Sequence, residues 1–400
     1  MARILSLDGG GSWALIQVRA LMALYRQPGT TGHDVLSEFD IVASNSGGSL
    51  VLAGLVENLP LATLLSYFED EAKRRSIFSP TKSCIYPVLH KLAGVGPIYN
   101  ANAKLSALQA LLPQAGNVPL SVTGNSIRGH GKIKPDVHLL IMGFDYDRNR
   151  ATFFRSAATT DAAWGIGEST DITLAEAVHA SANPPVNFFD GPAVFPGKPG
   201  QRYWDGGVSG CNNPVLAAVT EAIQLGCAPT DVAALSIGTA SVALPWPKPT
   251  DPPSELLSQP SRLGLKNDLA KLATSILDDP PDIATFLAYV ITGGDKGLTA
   301  PLTSRIVRMN PLISPVQAAD GGWIPPGTMT VDAFVNLKNL DMDAVEQSQV
   351  DEISMYAQLW LDDQAPNQPI RMNGDTLEPE LGDVSFSQAA ARWDAVKPYF

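Results

Sequence analysis

The sequence predicts an α/β fold built around an open, parallel sheet. Three observations carry that expectation. First, three separate stretches share one form, an extended run that ends in glycine: Asp8-Gly9-Gly10-Gly11 after residues 4–7, Ser44-Asn45-Ser46-Gly47-Gly48 after residues 39–43, and Asp205-Gly206-Gly207 after residues 202–204. Second, short apolar runs alternate with stretches of helical spacing through residues 4–240, the order expected of strands and helices in one α/β sheet. Third, 400 residues of which 45% are hydrophobic supply material for a large core.

Taken in order, residues 4–7 read as a short buried strand. The glycines after it open a helix over 13–25, where Leu15, Val18, Leu21, Met22 and Tyr25 fall at helical spacing. Uncovered glycine N–H groups at a helix N-terminus make an anion site, suited to a phosphate or a transient oxyanion. No lysine closes the loop, so it is not a P-loop. Gly9, Gly11 and Ala14 match the dinucleotide fingerprint, but the second strand ends in Ala43-Ser44-Asn45-Ser46 rather than in an acid that would hold a ribose. Asp8 would also repel a pyrophosphate, and the oxyanion reading fits better.

The second stretch runs extended from Phe39, turns on small residues and opens a helix at 51–56. That places Ser46 at the apex of a strand-to-helix turn, the geometry of a nucleophile elbow, with Ser44 where the usual G-x-S-x-G has its first glycine. A helix-capping serine in an ordinary turn fits the same residues. Residues 61–75 read as helix, 76–100 as loop, 102–112 as an amphipathic helix, and 137–144 as a strand with 152–156 as its partner. A helix over 174–180 breaks at Asn183-Pro184-Pro185. Residues 202–205 form a strand ending in Asp205, 215–225 a helix and 232–238 a buried strand. Pro245, Pro247, Pro249, Pro252 and Pro253 mark an irregular segment, followed by helices over 263–277 and 283–291. A late strand over 304–309, a long helix over 342–361 and a tail with a short helix at 387–396 complete the chain.

A net charge of −12 argues against nucleic acid as a partner and against a strongly anionic membrane. The basic spots Lys73-Arg74-Arg75 and Arg148/Arg150 read as solvated faces. Cys84, Cys211 and Cys227 have neither paired nor metal-ligand spacing, which suits a reducing compartment. No metal or cofactor is expected. No run reaches transmembrane length, and the strand begins too early for a signal peptide, so the expected location is cytoplasmic, or exported without a cleaved signal peptide.

In an open parallel sheet the carboxyl ends of the strands share one edge, where ligands bind. Ser46, Asp205 and the two glycine runs can therefore meet. Asp205 can accept the serine proton, while Gly9, Gly10, Gly11 and the amide of Gly47 can donate to an oxyanion. None of His33, His90, His130, His138 and His179 stands in a glycine-flanked loop after a clear strand, so a Ser-Asp pair fits better than a triad.

The order of DGGG, serine elbow and a late strand ending Asp-Gly-Gly resembles the patatin-like phospholipase family. Pro97-Ile98-Tyr99-Asn100, Ser181-Ala182-Asn183-Pro184-Pro185 and Leu235-Ser236-Ile237-Gly238-Thr239 resemble further stretches of that family. The resemblance covers about residues 3–240 and weakens toward 361. It implies a three-layer α/β/α sandwich with a mostly parallel central sheet and a catalytic domain over 1–361, with 362–400 as a tail; the prolines and apolar helix faces of 245–300 suit a lid or insertion over the acyl site, or helices packed on the sheet. It implies hydrolysis of lipid or phospholipid acyl esters, at a membrane or micelle surface, by Ser46 as nucleophile and Asp205 as base, with Gly9, Gly10 and Gly11 as the oxyanion hole. Trp13 and Ala14 stand where the family usually has a basic residue and glycine. Two further readings remain: a catalytically weak or inactive protein of this fold that binds a lipid or partner, and a nucleotide-binding α/β protein.

Overall fold

The computed structural model describes residues 1–81, 96–156, 172–196, 198–249, 251–260, 264–294 and 305–397. Eight strands form one sheet: β1 (Ala2–Leu7), β2 (Ile41–Ser44), β3 (His138–Asp145), β4 (Arg150–Arg155), β5 (Ala193–Phe195), β6 (Lys198–Asp205), β7 (Val232–Ile237) and β8 (Ile306–Met309). Their order is β5-β6-β3-β2-β1-β7-β8, with β4 also paired to β3. The run β3-β2-β1-β7-β8 is parallel. β4, β6 and β5 are antiparallel additions at one end.

The strands bury both faces, and their side chains sort with a period of two. Leu5, Leu7, Val42, Leu139, Ile141, Leu235 and Val307 enter one core. Ile4, Ile41, Ala43, Leu140, Met142, Ala234 and Ile306 enter the other. A one-residue slip of any strand would exchange these sets, and at about 1.5–3 kcal/mol per buried aliphatic side chain that fixes the register. The first face is covered by α1 (Leu15–Leu24), α2 (Ser46–Val56), α3 (Leu61–Glu69), α5 (Ala101–Leu111) and α6 (Leu174–Ser181), with α4 (Glu71–Ile77) against α3 and α5. The second is covered by α7 (Val215–Gln224) and the C-terminal half of α8 (Leu265–Ile291), through Ala284, Ala288 and Tyr289. This is the expected three-layer arrangement.

The sheet's ends determine where Asp205 goes. β4 occupies one edge of β3 from Leu140 to Asp145. β2 occupies the other edge only as far as Ile141, and β6 pairs with Gly143, Phe144 and Asp145. With the first edge filled, β6 lies on the β2 side, in line with β2 and running toward its C-terminal end. Asp205, the last residue of β6, is thereby aimed at the residues that follow Ser44. The parallel-sheet expectation brought these groups together correctly, but Asp205 arrives on an antiparallel strand descending onto β2.

Three further elements differ from expectation. Where two helices were expected, α8 is continuous through Pro280-Pro281. Proline removes a helix hydrogen bond, and the helix is held beyond the pair by α7 packed along its C-terminal half, where Asn213 Nδ2 donates to Pro281 O at 3.2 Å. The long helix α9 (Gln347–Leu361) starts five residues later than expected. The helix of the tail, α10 (Phe386–Val396), docks into the first core, with Ala389 and Trp393 fully buried and Trp393 stacked on Phe39 at 5.9 Å. Among the described residues, no helix is long and apolar enough to cross a membrane.

Candidate active site

β1 and β2 end side by side, with Leu7 opposite Ser44, and Asn45 N–H extends the pairing to Leu7 O at 3.1 Å. The chain then reverses at Ser46, whose φ of +47° lies in the left-handed region. Such a conformation costs a non-glycine residue on the order of 1–3 kcal/mol and persists only where its surroundings hold it. Ser46 N–H donates to Ser181 Oγ at 3.0 Å, and Ser49 Oγ donates to Ser46 O at 2.6 Å. Gly47 and Gly48 bring α2 against the peptide of Gly11 and the carbonyl of Leu7, where a Cβ on either would collide. The elbow is therefore clamped between the glycine loop and α6. Ser46 itself is 5% exposed.

The Ser46 hydroxyl lies beside the Asp205 carboxylate and lowers its pKa. Asp205 Oδ1 accepts from Gly207 N–H at 2.8 Å and from Asn45 Nδ2 at 3.1 Å. Burial pushes the Asp205 carboxyl above the usual carboxylate range, while Ser46, Gly207, Asn45 and the charge of Lys104 oppose that rise. Lys104 is fully buried on α5. Its Nζ donates to His179 O at 3.0 Å, Ala182 O at 2.5 Å and Asn183 Oδ1 at 2.8 Å, and lies 4.0 Å over the Phe189 ring. Burial pulls its pKa well down, but three acceptors match the three hydrogens of an ammonium. Asn183 O accepts from Asp205 N–H at 3.0 Å, so the same turn carries Lys104 to the carboxylate.

Among the described residues, no histidine hydrogen-bonds Ser46 or Asp205. His33 meets Val56 O, His130 meets Asp40 and His138 meets Glu221. His179 is buried beside Lys104 and held well below its ordinary pKa by that burial. His90 lies outside the described residues.

Asp8 precedes the glycine loop and pairs with Arg308 of β8 at 2.7 Å, both side chains 4% exposed. Burial raises its carboxyl to about 6, against the pull of Arg308. Gly9 N–H, expected among the oxyanion donors, is already engaged with Asn212 O at 2.9 Å. The N–H groups of Gly10, Gly11 and Gly47 find no acceptor among the described residues. Trp13 is buried, and its Nε1 donates to Asp341 O at 3.1 Å. Ser12 N–H donates to Met342 O at 2.8 Å. Residues 341–343 thus cover the loop.

Two adjoining hollows open from this point. The outer is lined by Ser46, Gly47, Leu50, Ile77, Phe78, Phe188 and Met342. The inner is lined by Ala53, Leu64, Phe68, Leu108 and Leu112. Gly11, Leu50, Ile77 and Phe78 border both. Together they form an apolar groove from Ser46 into the space between α2, α3, α4 and α5. Among the described residues, none that lines either hollow comes from 245–300. Arg74, expected on a solvated face, is buried in the inner wall, where it donates to Phe68 O, Val345 O and Gln347 Oε1 at 2.6, 3.1 and 3.0 Å.

The patatin-like phospholipase family matches residues 5–219, a span that holds the glycine loop, the elbow and Asp205. The chain belongs to the patatin-like phospholipase family. Patatin-like proteins generally hydrolyse lipid esters. The crystal structure of VipD from Legionella pneumophila aligns with 92% of this chain and 68% of that chain, at 11% identity and a TM-score of 0.37. No curated protein matches the chain.

In this patatin-like chain, every residue expected at the site is adjacent to the elbow. The surrounding residues that sequence reasoning missed are Asn45, Ser181, Asn212, Lys104 and Arg308. One signal was present for Lys104: it falls between Ala101 and Leu108 on the buried stripe of α5, a lysine at a core position. Arg308 carried a similar signal as a charge inside a buried strand.

Proposed function

We propose that this patatin-like protein is a serine acyl-ester hydrolase of lipids or phospholipids, with Ser46 as nucleophile and Asp205 as base. One observation carries the reading: the Ser46 hydroxyl, at the strained apex of the elbow, meets the Asp205 carboxylate on one side and the apolar groove on the other. Asp205 takes the hydroxyl proton as Oγ attacks the ester carbonyl. The carbonyl oxygen becomes an oxyanion, which the N–H groups of Gly10, Gly11 and Gly47 receive with the positive end of α2 behind them. Gly9 N–H, bonded to Asn212, holds the loop in shape. The proton on Asp205 then passes to the leaving alcohol, and the acyl group stays on Ser46 until water, activated by the same carboxylate, releases it. The groove takes the acyl chain, since an apolar channel gives up little water on filling. The substrate is presented at a membrane or micelle surface.

The test is a fluorophosphonate probe with peptide mapping, beside hydrolysis of p-nitrophenyl esters and phospholipids. The label is expected on Ser46, and Ser46→Ala and Asp205→Asn are expected to keep the fold and lose nearly all turnover. Labelling of Ser44, Ser49 or Ser209 would reject the nucleophile. Absence of both label and turnover in the native protein would favour a binding protein of this fold.

A further inference from the structure

Asn45, between the elbow's first serine and the nucleophile, is fully buried and bonds to residues of three separate stretches, Ser181, Asp205 and Asn212. Its Nδ2 donates to Asp205 Oδ1 at 3.1 Å and to Asn212 Oδ1 at 3.3 Å. Its Oδ1 accepts from Ser181 Oγ at 3.5 Å, the hydroxyl that receives Ser46 N–H at 3.0 Å. These partners fix which way the amide points, because a flipped amide would set its oxygen against the carboxylate. Two of the motif glycines make room for it. A Cβ on Gly206 would collide with the Asn45 amide oxygen, and one on Gly9 would crowd its amide nitrogen. Both strand-end glycine motifs therefore close around this one side chain.

We propose that Asn45 is a positioning residue for the base: with Gly207 N–H it occupies Asp205 Oδ1, so that Oδ2 is the oxygen left to take the Ser46 proton. Two donors on one oxygen fix the rotation of the carboxylate, and a carboxylate aimed at the hydroxyl needs no rearrangement before proton transfer. The same donors favour the ionised form that a base requires. The groups facing Asp205 are Ser46 and Asn45 from the elbow, Gly207 N–H from its own turn and Lys104 from α5, with His179 of α6 next to Lys104. Asn45 is the one among them whose side chain can be removed without touching the nucleophile or the buried cation.

The inference rests on the Ser46–Asp205 reading, and the experiment separates the two. The rate of fluorophosphonate labelling is measured against pH for the native protein, Asn45→Ala and the isosteric Asn45→Asp, each checked for its melting transition. If the native protein is not labelled at Ser46, the functional reading fails. If it is labelled, Asn45→Ala is expected to lower the plateau rate about ten- to a hundredfold, the worth of a hydrogen bond to a charged group. Its acid limb is expected to move to higher pH, because Asp205 loses a donor that favours ionisation. Asn45→Asp should move the limb further the same way, since a second carboxylate opposes ionisation of the first. A role in packing alone would change the melting transition and leave the limb in place, and that result overturns the proposal. If neither variant folds, the native protein still decides. The Asn45 side-chain amide resonance, assigned by selective labelling, should titrate with the midpoint of the native labelling rate, and a resonance indifferent to that titration overturns the proposal equally.

Discussion

Arg308→Leu removes the buried cation that faces Asp8 beneath the glycine loop. In the native pair Nη2 of Arg308 lies 2.7 Å from Asp8 Oδ2, and Nη1 donates to Ser236 Oγ at 2.8 Å. Asp8 Oδ1 has no hydrogen-bond partner among the described residues, so the carboxylate depends on this one neighbour. Even so, burial holds its pKa at about 6 against an ordinary 3.8. A rise of that size corresponds to about 3 kcal/mol. Folded Asp8 holds its proton more tightly than unfolded Asp8, so its contribution to stability is fully present below pH 3.8 and is lost as pH rises through about 6. Without Arg308 the opposing attraction disappears, and the loss reaches to higher pH. Removing one partner of a buried ion pair costs about 3–5 kcal/mol while the other stays charged. Losing a neutral hydrogen bond costs about 1 kcal/mol. Arg308→Leu should therefore lose about 3–5 kcal/mol at pH 8 and about 1 kcal/mol at pH 5, where protonated Asp8 needs no counter-ion. Urea unfolding followed by tryptophan fluorescence at both pH values measures the pair of losses. Equal losses would refute the coupling and reduce Arg308 to packing.

Two further outcomes test the groove and its surroundings. Leu108→Trp should fill the inner hollow while leaving the outer one open; losing burial of two or three methylenes costs about 2 kcal/mol, so kcat/KM for a palmitoyl ester should fall roughly thirtyfold relative to a butyryl ester. An unchanged ratio would mean that the acyl chain leaves Ser46 by another path. For the proposed lid, hydrogen exchange should be slow throughout at 284–290, where Ala284, Ala288 and Tyr289 are buried, and should slow around Trp246, 54% exposed, only when a long-chain phosphonate occupies Ser46. Exchange unaltered by the inhibitor around Trp246 would show that the segment takes no part in covering the groove.

The sequence exposed most of the sheet because its strands are buried on both faces and read as short apolar runs, as with Val232-Ala233-Ala234-Leu235-Ser236-Ile237. Ser46 and Asp205 were legible because chemistry at a strand end needs glycine beside it, and glycine is visible. What lay hidden was long-range. Nothing local tells that β6 runs antiparallel and descends onto β2, since that follows from β4 having filled the far edge of β3. Asn45 looked like a spacer within the elbow, and its role emerges only when Gly9 and Gly206 close around it. The continuity of α8 through two prolines was hidden for the same reason, because the α7 residues packed on its C-terminal half are distant in sequence.

Charge around the elbow stands behind carboxylates rather than in the glycine loop. After the glycine run Trp13 is buried and spends its only side-chain donor on Asp341 O. The cations nearest the site stand behind carboxylates instead: Arg308 behind Asp8, and Lys104 behind the turn that leads to Asp205. Arg74 in the inner wall is held to Phe68 O, Val345 O and Gln347 Oε1, whereas a hydrated cation facing the groove would lose its water each time an acyl chain entered, an expensive desolvation. Behind a buried carboxylate the same charge offsets a desolvation already incurred. On the proposed reading, the oxyanion is then received by the N–H dipoles of Gly10, Gly11 and Gly47 without a formal charge. That arrangement favours catalysis over product binding. Dipoles aimed at the developing oxygen act most strongly in the transition state, whereas a fixed cation in the groove would also hold the carboxylate product in the ground state.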